Sequence, residues 1–269
     1  MLPDGTVLTT DTMVEGRHWD QNLSATDVGW KLVAVNVSDL AAMGARPKWA
    51  LLSLALPDPV DLDWVAGFRD GLFLALRHYR LDLVGGDTVS APIRALTLAV
   101  GGHAANPVLR STGRAGDDVY VTGVLGLAAE GFLSPHPSAR ALAALRRPEP
   151  PLTFGLQLAE NNLATAMMDL SDGLRSDLAT LCEASGVGAE IDPAAIPGTA
   201  DLAWRVAFGE DYQLLFTAPR EARSAVESLA AAAGVPVARI GRLTPGSSPQ
   251  LLGTSWPDPL FTHFPRSSR

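Results

Sequence analysis

Short apolar runs alternate along the first part of the chain with segments in which apolar residues recur at helical spacing. Runs of this kind favour strands, and they predict strands at Thr6–Thr10, Val33–Val37, Trp49–Leu56, Leu81–Val84 and Leu96–Val100. In Asp61–Tyr79 the apolar positions recur every three or four residues, which predicts an amphipathic helix. The pattern is that of a mixed α/β unit.

Between Ala104 and Arg114 the pattern loosens into a polar, turn-rich segment, and a second unit follows it. The strands predicted there are Asp118–Thr122, Ala166–Leu170, Gln213–Thr217 and Val237–Ile240, and the helices are Leu127–Leu133, Gly173–Ala184 and Ala225–Ala233. Gly186 is the predicted end of the second helix, because glycine readily adopts the left-handed conformation that ends helices. We therefore predict an α/β fold with two domains, residues 1–106 and 107–269.

Composition and charge narrow the class of protein. The chain has 269 residues, of which 47% are hydrophobic, enough for a substantial core. A formal net charge of -8 without a basic run argues against nucleic acid or an anionic membrane as partner. No apolar run approaches the roughly 20 residues that cross a bilayer. Cys182 is the single cysteine and the first residues lack the features of a signal peptide, so we predict a cytoplasmic protein.

Four segments share one pattern, in which an apolar run leads through one or two small residues to an aspartate. The aspartates are Asp11, Asp39, Asp87 and the pair Asp169 and Asp172. If the runs are strands, each carboxylate stands on a rigid support, and its small neighbours let another ligand approach closely. Carboxylate oxygens suit Mg²⁺, which commonly also binds phosphate oxygens. The pattern predicts a magnesium site for a nucleotide polyphosphate.

Helix capping is the alternative explanation for these aspartates. An aspartate after a small residue is a common N-cap, and Asp39 or Asp172 could simply begin the helix that follows. Four segments with one pattern are harder to explain in this way. Asp169 and Asp172 also place two like charges within one short turn, which is unfavourable without a cation. Together the segments favour a metal cluster.

Other motifs argue against two classes of kinase and leave the roles of some polar residues open. Neither Lys31 nor Lys48 follows a glycine, so the chain has no P-loop, and the signature tripeptides of protein kinases are absent. His18 could contact an anionic substrate or act as an acid or base, or it could serve as a structural hydrogen-bond partner. The acidic pair Glu210 and Asp211 could meet a cationic group or face solvent.

Five stretches carry most of these residues: Thr9–Trp19, Val37–Pro47, Gly85–Thr88, Asp169–Leu174 and Gly209–Tyr212. In order and spacing they resemble the thiamine-monophosphate kinase family, and the match covers nearly the whole chain. The second and fourth stretches are shared in looser form with a superfamily that includes aminoimidazole ribonucleotide synthetase and selenophosphate synthetase. The motifs around His18 and Glu210 distinguish the kinase.

The resemblance implies a two-domain, aminoimidazole ribonucleotide synthetase-like α/β fold. In such proteins the N-terminal domain binds ATP and magnesium and forms a homodimer through its sheet, and the C-terminal domain folds over it with ATP between them. The implied reaction is ATP-dependent phosphorylation of thiamine monophosphate to thiamine diphosphate, the last step of thiamine diphosphate biosynthesis. A substrate phosphate oxygen would attack the γ-phosphorus in line, without a phosphoenzyme or a general base.

The resemblance also implies roles for individual residues. Several magnesium ions would be held by Thr9, Thr10, Asp11, Asp39, Asp87, Asp169 and Asp172. ATP would contact Gly86, Asp87, Arg110 and Ser171. Thiamine monophosphate would be bordered by His18, Glu210 and Phe261. Arg110 can grip a phosphate with two hydrogen bonds, Glu210 can face a cationic heterocycle, and Phe261 can stack on a ring.

One departure from the family pattern bears on activity. The family begins with a further segment that contains a Gly-Asp-Asp motif and supplies a metal ligand. This sequence opens after that segment, so we expect that its start was assigned too late. The alternatives are an enzyme with an incomplete cluster, a pseudoenzyme that only binds its ligands, and another ATP-using enzyme of the superfamily. Trp19, Ala207-Phe208 and Gln213 also depart from the family pattern, without removing an implied site residue.

Overall fold

The computed structural model describes residues 1–260 and divides the chain into two compact units. The first consists of Met1–Pro107 and Arg146–Glu160, and the second of Val108–Leu145 together with the chain from Asn161 onward. Each unit combines helices with a β-sheet, which confirms the predicted fold class. The functional assignment of residues 1–106 and 107–269 as domains stays a prediction. Within residues 1–260, no helix has both the length and the apolar character needed to cross a bilayer.

The first unit contains a four-stranded sheet. Its elements are β1 (Thr6–Val14), α1 (Ala25–Ala42), β2 (Arg46–Leu56), α2 (Leu62–Tyr79), β3 (Asp82–Ser90) and β4 (Ala95–His103). The strand order is β1-β4-β2-β3, in which β2 and β3 run parallel and the other pairs run antiparallel. The later segment that belongs to this unit forms a helix, Leu152–Glu160, which is α5 in chain order and lies against α1.

The two faces of this sheet differ because successive side chains of a strand point to opposite faces. Val7 and Met13 of β1 are buried on the face against which α1 packs. Leu8 of β1 and Leu51 of β2 are exposed on the opposite face. The core of the unit therefore lies between the sheet and its helices, and the other face of the sheet is open.

The predicted strand at Val33–Val37 is wrong, because this run forms the middle of α1. The helix begins after Ser24, whose hydroxyl oxygen accepts a hydrogen bond from the backbone N–H of Asp27 at 3.1 Å. Every residue from position 28 to position 38 is buried, so the helix has no polar face over this stretch. A helix enclosed on all sides shows no amphipathic period, and its sequence looks like that of a buried strand.

The edge strands β1 and β3 are longer than the predicted Thr6–Thr10 and Leu81–Val84. Strand β1 pairs with β4 through Val14, and β3 pairs with β2 through Ser90. The added residues are mainly small or polar, and the hydropathy pattern missed them because strand pairing uses backbone groups. Two other predicted elements are confirmed. Strand β2 includes Trp49–Leu56, and α2 occupies the helix predicted at Asp61–Tyr79. Asp61 is the N-cap of α2, and its Oδ1 accepts a hydrogen bond from the backbone N–H of Trp64 at 3.0 Å.

The second unit contains a six-stranded sheet. Its strands are β5 (Asp118–Thr122), β6 (Ala166–Asp169), β7 (Gly188–Ile191), β8 (Leu214–Ala218), β9 (Val237–Thr244) and β10 (Pro249–Leu251), in the order β10-β7-β9-β5-β8-β6. Its helices are α3 (Leu127–Leu133), α4 (Ala139–Arg146), α6 (Leu174–Ser185), α7 (Leu202–Ala207) and α8 (Arg223–Ala233). The predicted strand at Asp118–Thr122 and helix at Leu127–Leu133 are confirmed. Gly186 ends α6 with φ of 67°, as predicted.

Candidate active site

Strand β1 and helix α1 bring three of the predicted metal ligands of the first unit together. The hydroxyl of Thr9 donates a hydrogen bond to Oδ2 of Asp39. Asp11 lies two residues beyond Thr9 and so shares its face of the sheet, the face that α1 covers. The backbone N–H of Asp11 donates to Oδ1 of Asn36, also in α1, at 3.1 Å. Thr9, Asp11 and Asp39 therefore belong to one group, whereas Thr10 lies on the open face.

The expected placement of these aspartates at strand ends is wrong for Asp11 and Asp39. Asp11 lies inside β1, because the strand continues through Val14. Asp39 lies in the last turns of α1, because the apolar run before it is helical. For the same reason Asp39 does not cap a following helix. Its carboxylate is instead an acceptor for a hydroxyl from the neighbouring strand.

Asp87 lies on β3, at the opposite edge of the same sheet. It too stands inside a strand rather than after one, and its exposed carboxylate accepts a hydrogen bond from the backbone N–H of Thr88 at 2.8 Å. Strands β2 and β4 lie between Asp87 and β1. Three interstrand spacings separate the two edge strands by roughly 14 Å. One ion cannot bind both Asp11 and Asp87 across this distance, so the two carboxylates would serve different ions.

Gly86 is required by the packing of the sheet. It lies beside Leu52 of β2, and a Cβ atom at position 86 would come within 1.8 Å of the carbonyl oxygen of Leu52. No side chain fits at that distance. Gly86 therefore has a structural reason to be glycine in addition to the predicted contact with ATP.

His18 follows β1 in a turn that an ion pair stabilises. Its Nδ1 accepts a hydrogen bond from the backbone N–H of Val14 at 2.9 Å. When neutral, the imidazole ring must then carry its proton on Nε2. Nearby, Glu15 pairs with Arg94 at 2.6 Å, which holds the start of the turn against the strand that follows Arg94. His18 is thus oriented to donate a hydrogen bond through Nε2.

In the second unit Asp169 ends β6, as predicted, and its side chain is buried. Asp172 lies three residues on and is exposed. The N-cap of α6 is Gly173, so Asp172 lies one residue before the capping position. The capping alternative for Asp172 is therefore wrong. Ser171 stands between the two aspartates and is half-buried.

Asp177 belongs to the same group and was not identified from the sequence. It is buried in the first turn of α6, where its Oδ2 accepts a hydrogen bond from the backbone N–H of Asp172 at 3.1 Å. Burial, followed by the charges of Asp169 and Asp172, raises the pKa of Asp177 to about 8. A further aspartate five residues after Asp172 was the available sequence signal. The segment therefore brings the Asp177 carboxyl close to two further carboxyl groups, and a nearby cation would relieve the repulsion among those that are ionised.

Two residues of the Gly209–Gln213 segment adopt left-handed backbone conformations. Glu210 has φ of 68° and Tyr212 has φ of 46°, both uncommon for residues other than glycine. The backbone N–H of Glu210 donates to the carbonyl of Ser171, and that of Tyr212 donates to the carbonyl of Leu170, each at 2.9 Å. The segment that carries Glu210 is therefore bonded directly to the segment that carries Asp169 and Asp172.

Side chains hold this segment as well. The hydroxyl of Tyr212 donates a hydrogen bond to Oε1 of Glu210 at 3.1 Å. Asp211 accepts from the backbone N–H of Gly126, just before α3, with distances of 3.1 and 3.2 Å to its two carboxylate oxygens. Burial raises the pKa of Asp211 to about 8, although N–H groups of Gly126 and Ala128 act in the opposite direction. In the sequence, the only signal for a role of Asp211 or Tyr212 is that both belong to the same motif as Glu210.

The remaining predicted residues are Arg110 and Phe261. Arg110 is exposed, and its backbone carbonyl accepts a hydrogen bond from the hydroxyl of Ser185 at 2.8 Å. This bond ties the backbone of Arg110 to the end of α6. Phe261 lies outside the described residues.

The protein supplies oxygen ligands in small groups rather than as a closed cage. Among residues 1–260, no three His, Cys, Asp or Glu side chains are arranged to hold one metal ion. Magnesium commonly binds one or two carboxylates and completes its octahedral shell with phosphate oxygens and water. The groups around Asp39 and around Asp169 fit this kind of coordination, because their donors are hydroxyl and carboxylate oxygens.

Two family models match the chain in succession. "AIR synthase related protein, N-terminal domain" matches residues 3–105. "AIR synthase related protein, C-terminal domain" matches residues 114–253. Together the two models span most of the chain.

Individual relatives share a more specific name. The thiamine-monophosphate kinase of Salmonella typhimurium is 39% identical over 259 residues, which cover 88% of this chain and 78% of the relative. The crystal structure of thiamine-monophosphate kinase from Stenotrophomonas maltophilia K279a superposes with a TM-score of 0.85 at 35% identity, covering 93% of this chain and 86% of the other. The structure of AaThiL complexed with AMPPCP and TMP has a TM-score of 0.87 at 30% identity and covers 96% and 87% of the two chains.

Proposed function

Because this chain belongs to the thiamine-monophosphate kinase family, we propose that it phosphorylates thiamine monophosphate with ATP and releases thiamine diphosphate and ADP. The observation that carries the proposal is 39% identity to a thiamine-monophosphate kinase over 88% of the chain. The structural relative bound to AMPPCP and TMP supports it, since AMPPCP is an analogue of ATP. The chain is a phosphotransferase, and ATP is its co-substrate.

Oxygen ligands from each unit hold magnesium ions in this proposal. The first unit supplies Thr9, Thr10, Asp11, Asp39 and Asp87, and the second supplies Asp169 and Asp172. Bound Mg²⁺ would offset the repulsion between the phosphates of the two substrates. The donor chemistry of these hydroxyl and carboxylate oxygens supports this assignment. The separation of Asp87 from Asp11 supports more than one ion.

Other polar groups bind the two substrates. Gly86, Asp87, Arg110 and Ser171 contact ATP, with the Arg110 guanidinium on a phosphate. His18, Glu210 and Phe261 contact thiamine monophosphate. His18 supports this role because its Nε2 can donate to a phosphate oxygen while Nδ1 is engaged with Val14. Glu210 supplies the negative charge that a cationic heterocycle requires.

No side chain needs to act as a general base. The acceptor of the phosphoryl group is a phosphate oxygen, which is already ionised near neutral pH. The protein has to bring the two anionic substrates into line and stabilise the charge that develops in the transition state. Rigid strands and helices that carry the aspartates are suited to that task.

The direct test is to incubate the purified chain with ATP, MgCl₂ and thiamine monophosphate and to separate the products by chromatography. We expect thiamine diphosphate and ADP in equal amounts, and no product when EDTA is added or when thiamine replaces thiamine monophosphate. ADP formed only with a different acceptor would show another enzyme of the superfamily. Binding of both substrates without product would show a binding protein.

A homodimer and a cytoplasmic location complete the proposal. The open face of the first unit's sheet exposes Leu8, Leu51 and Val89, and a second copy would cover these apolar side chains. Leu51→Lys should then shift the sedimentation coefficient from that of a dimer to that of a monomer.

The cytoplasm is where ATP is regenerated and where a free thiol such as that of Cys182 stays reduced.

A further inference from the structure

The hydrogen bond between Tyr212 and Glu210 joins two residues that both have left-handed backbones. Such conformations cost free energy for residues that carry a Cβ atom, and they persist where surrounding contacts impose them. Here the contacts are the two backbone bonds to Leu170 and Ser171 and the bond of Asp211 to Gly126. The segment holds Glu210 and Tyr212 in a single arrangement in which their side chains meet.

The Tyr212 side chain is itself fixed. Its exposed fraction is 8%, so the ring is buried while the hydroxyl reaches Oε1 of Glu210 at 3.1 Å. A glutamate side chain that is free to rotate loses conformational entropy when it binds a ligand. Because the buried Tyr212 hydroxyl already holds the Glu210 carboxylate in the free protein, less conformational entropy is lost when the substrate binds.

We propose that Tyr212 is a positioning residue, whose hydroxyl holds the Glu210 carboxylate in the orientation that meets the cationic heterocycle of thiamine monophosphate. The inference rests on the proposed function, because Tyr212 acts only through Glu210. Tyr212 contributes to affinity for thiamine monophosphate and not to the binding of ATP or to the transfer step.

Tyr212→Phe tests the proposal, since it removes the hydroxyl and keeps the buried ring. We expect KM for thiamine monophosphate to rise about fivefold, with KM for ATP, kcat and Tm nearly unchanged. Tyr79→Phe is the matched control. The Tyr79 hydroxyl is also buried but has no hydrogen-bond partner among residues 1–260, so its removal should leave both KM values unchanged.

A double-mutant cycle separates positioning from a general structural role. In a Glu210→Ala background, adding Tyr212→Phe should leave KM for thiamine monophosphate unchanged, because the group that Tyr212 holds is gone. An unchanged KM in the single Tyr212→Phe variant would overturn the inference. So would an equal rise in KM with and without Glu210, because Tyr212 would then act independently of it.

Calorimetric binding of thiamine monophosphate to the same variants distinguishes this inference from the proposed function. If the wild-type chain forms thiamine diphosphate and Tyr212→Phe behaves like wild type, only the positioning role fails. If the wild-type chain binds thiamine monophosphate without turnover, the dissociation constants replace KM in the same cycle. If it neither binds nor phosphorylates thiamine monophosphate, both proposals fail.

Discussion

The side-chain oxygen of Asn36 accepts a hydrogen bond from the backbone N–H of Asp11 at 3.1 Å. Asn36 is completely buried in α1, and its amide nitrogen donates to the carbonyl of Leu32 at 2.9 Å. This one side chain ties the strand that carries Thr9 and Asp11 to the helix that carries Asp39. The arrangement of three proposed ligands therefore depends on a residue that is not itself a ligand.

Asn36→Leu should lower the free energy of unfolding by about 1–3 kcal/mol, because the N–H of Asp11 loses its buried partner. The Mg²⁺ concentration for half-maximal activity should also rise, since β1 is no longer tied to α1 at this point. Urea denaturation and a magnesium titration measure the two effects. Asn22→Ala is the control: Asn22 is exposed and bonds only Asp20 among the side chains described, so neither quantity should change.

Asp87→Asn should lower kcat about 100-fold or more while changing the free energy of unfolding by less than about 0.5 kcal/mol. The side chain is exposed, and asparagine can still accept from the N–H of Thr88, so the fold loses little. Asp82→Asn, at the exposed start of the same strand, should leave both values unchanged. Steady-state kinetics and denaturation measure the outcome. An unaltered kcat for Asp87→Asn would remove Asp87 from the mechanism.

Gly86→Ala should destabilise the protein by about 1–3 kcal/mol, because the new methyl group forces β2 and β3 apart. The added Cβ would meet the carbonyl oxygen of Leu52 at 1.8 Å. Gly85→Ala is the neighbouring control, since its Cβ would lie 3.4 Å from Cδ2 of Leu51, an ordinary contact. Thermal unfolding of the two variants should therefore separate clearly. Equal melting temperatures would show that the strand spacing adjusts and that glycine is not required there.

The Asp118 carboxylate should make stability depend on pH in the acid range. It is buried beside Arg223, whose Nη2 donates to Oδ1 at 2.7 Å. Burial acts to raise the pKa of Asp118, but the hydrogen bond and charge of Arg223 outweigh it and hold the pKa below 3.8. Because the pKa is lower in the folded chain than in the unfolded chain, this stabilisation is present above pH 3.8 and is lost as the pH falls below it.

Asp118→Asn should therefore lower the free energy of unfolding by about 1–2 kcal/mol at pH 7. The effect is no larger because the Arg223 side chain is partly exposed and solvent weakens the ion pair. The variant should also lose less stability than wild type when the pH is lowered from 5 to about 3. Denaturation at several pH values measures both effects. Asp70→Asn breaks an exposed pair with Arg69 and should change stability little at any pH. A similar cost for both variants would contradict the argument.

Local signals in the sequence mark one end of each of two predicted helices. Asp61 and Gly186 mark a helix start and a helix end because capping depends only on the residue and its nearest neighbours in the chain. The strand predicted at Val33–Val37 failed because burial on all sides of α1 is decided by the elements around it. Asp177 and Tyr212 were not identified from the sequence for a related reason. Each contacts another functional residue, and such a contact is visible only in the folded structure.

The sequence by itself determined the α/β fold class, the family and the set of aspartates, because these depend on residue type, order and spacing. The tertiary structure decided how those aspartates are grouped. Thr9 and Asp39 are 30 positions apart and meet only because β1 packs against α1. Asp87 has the same local pattern as Asp11 but stands at the other edge of the sheet. Strand order and the alternation of side chains between sheet faces arise from long-range pairing, which no short motif encodes.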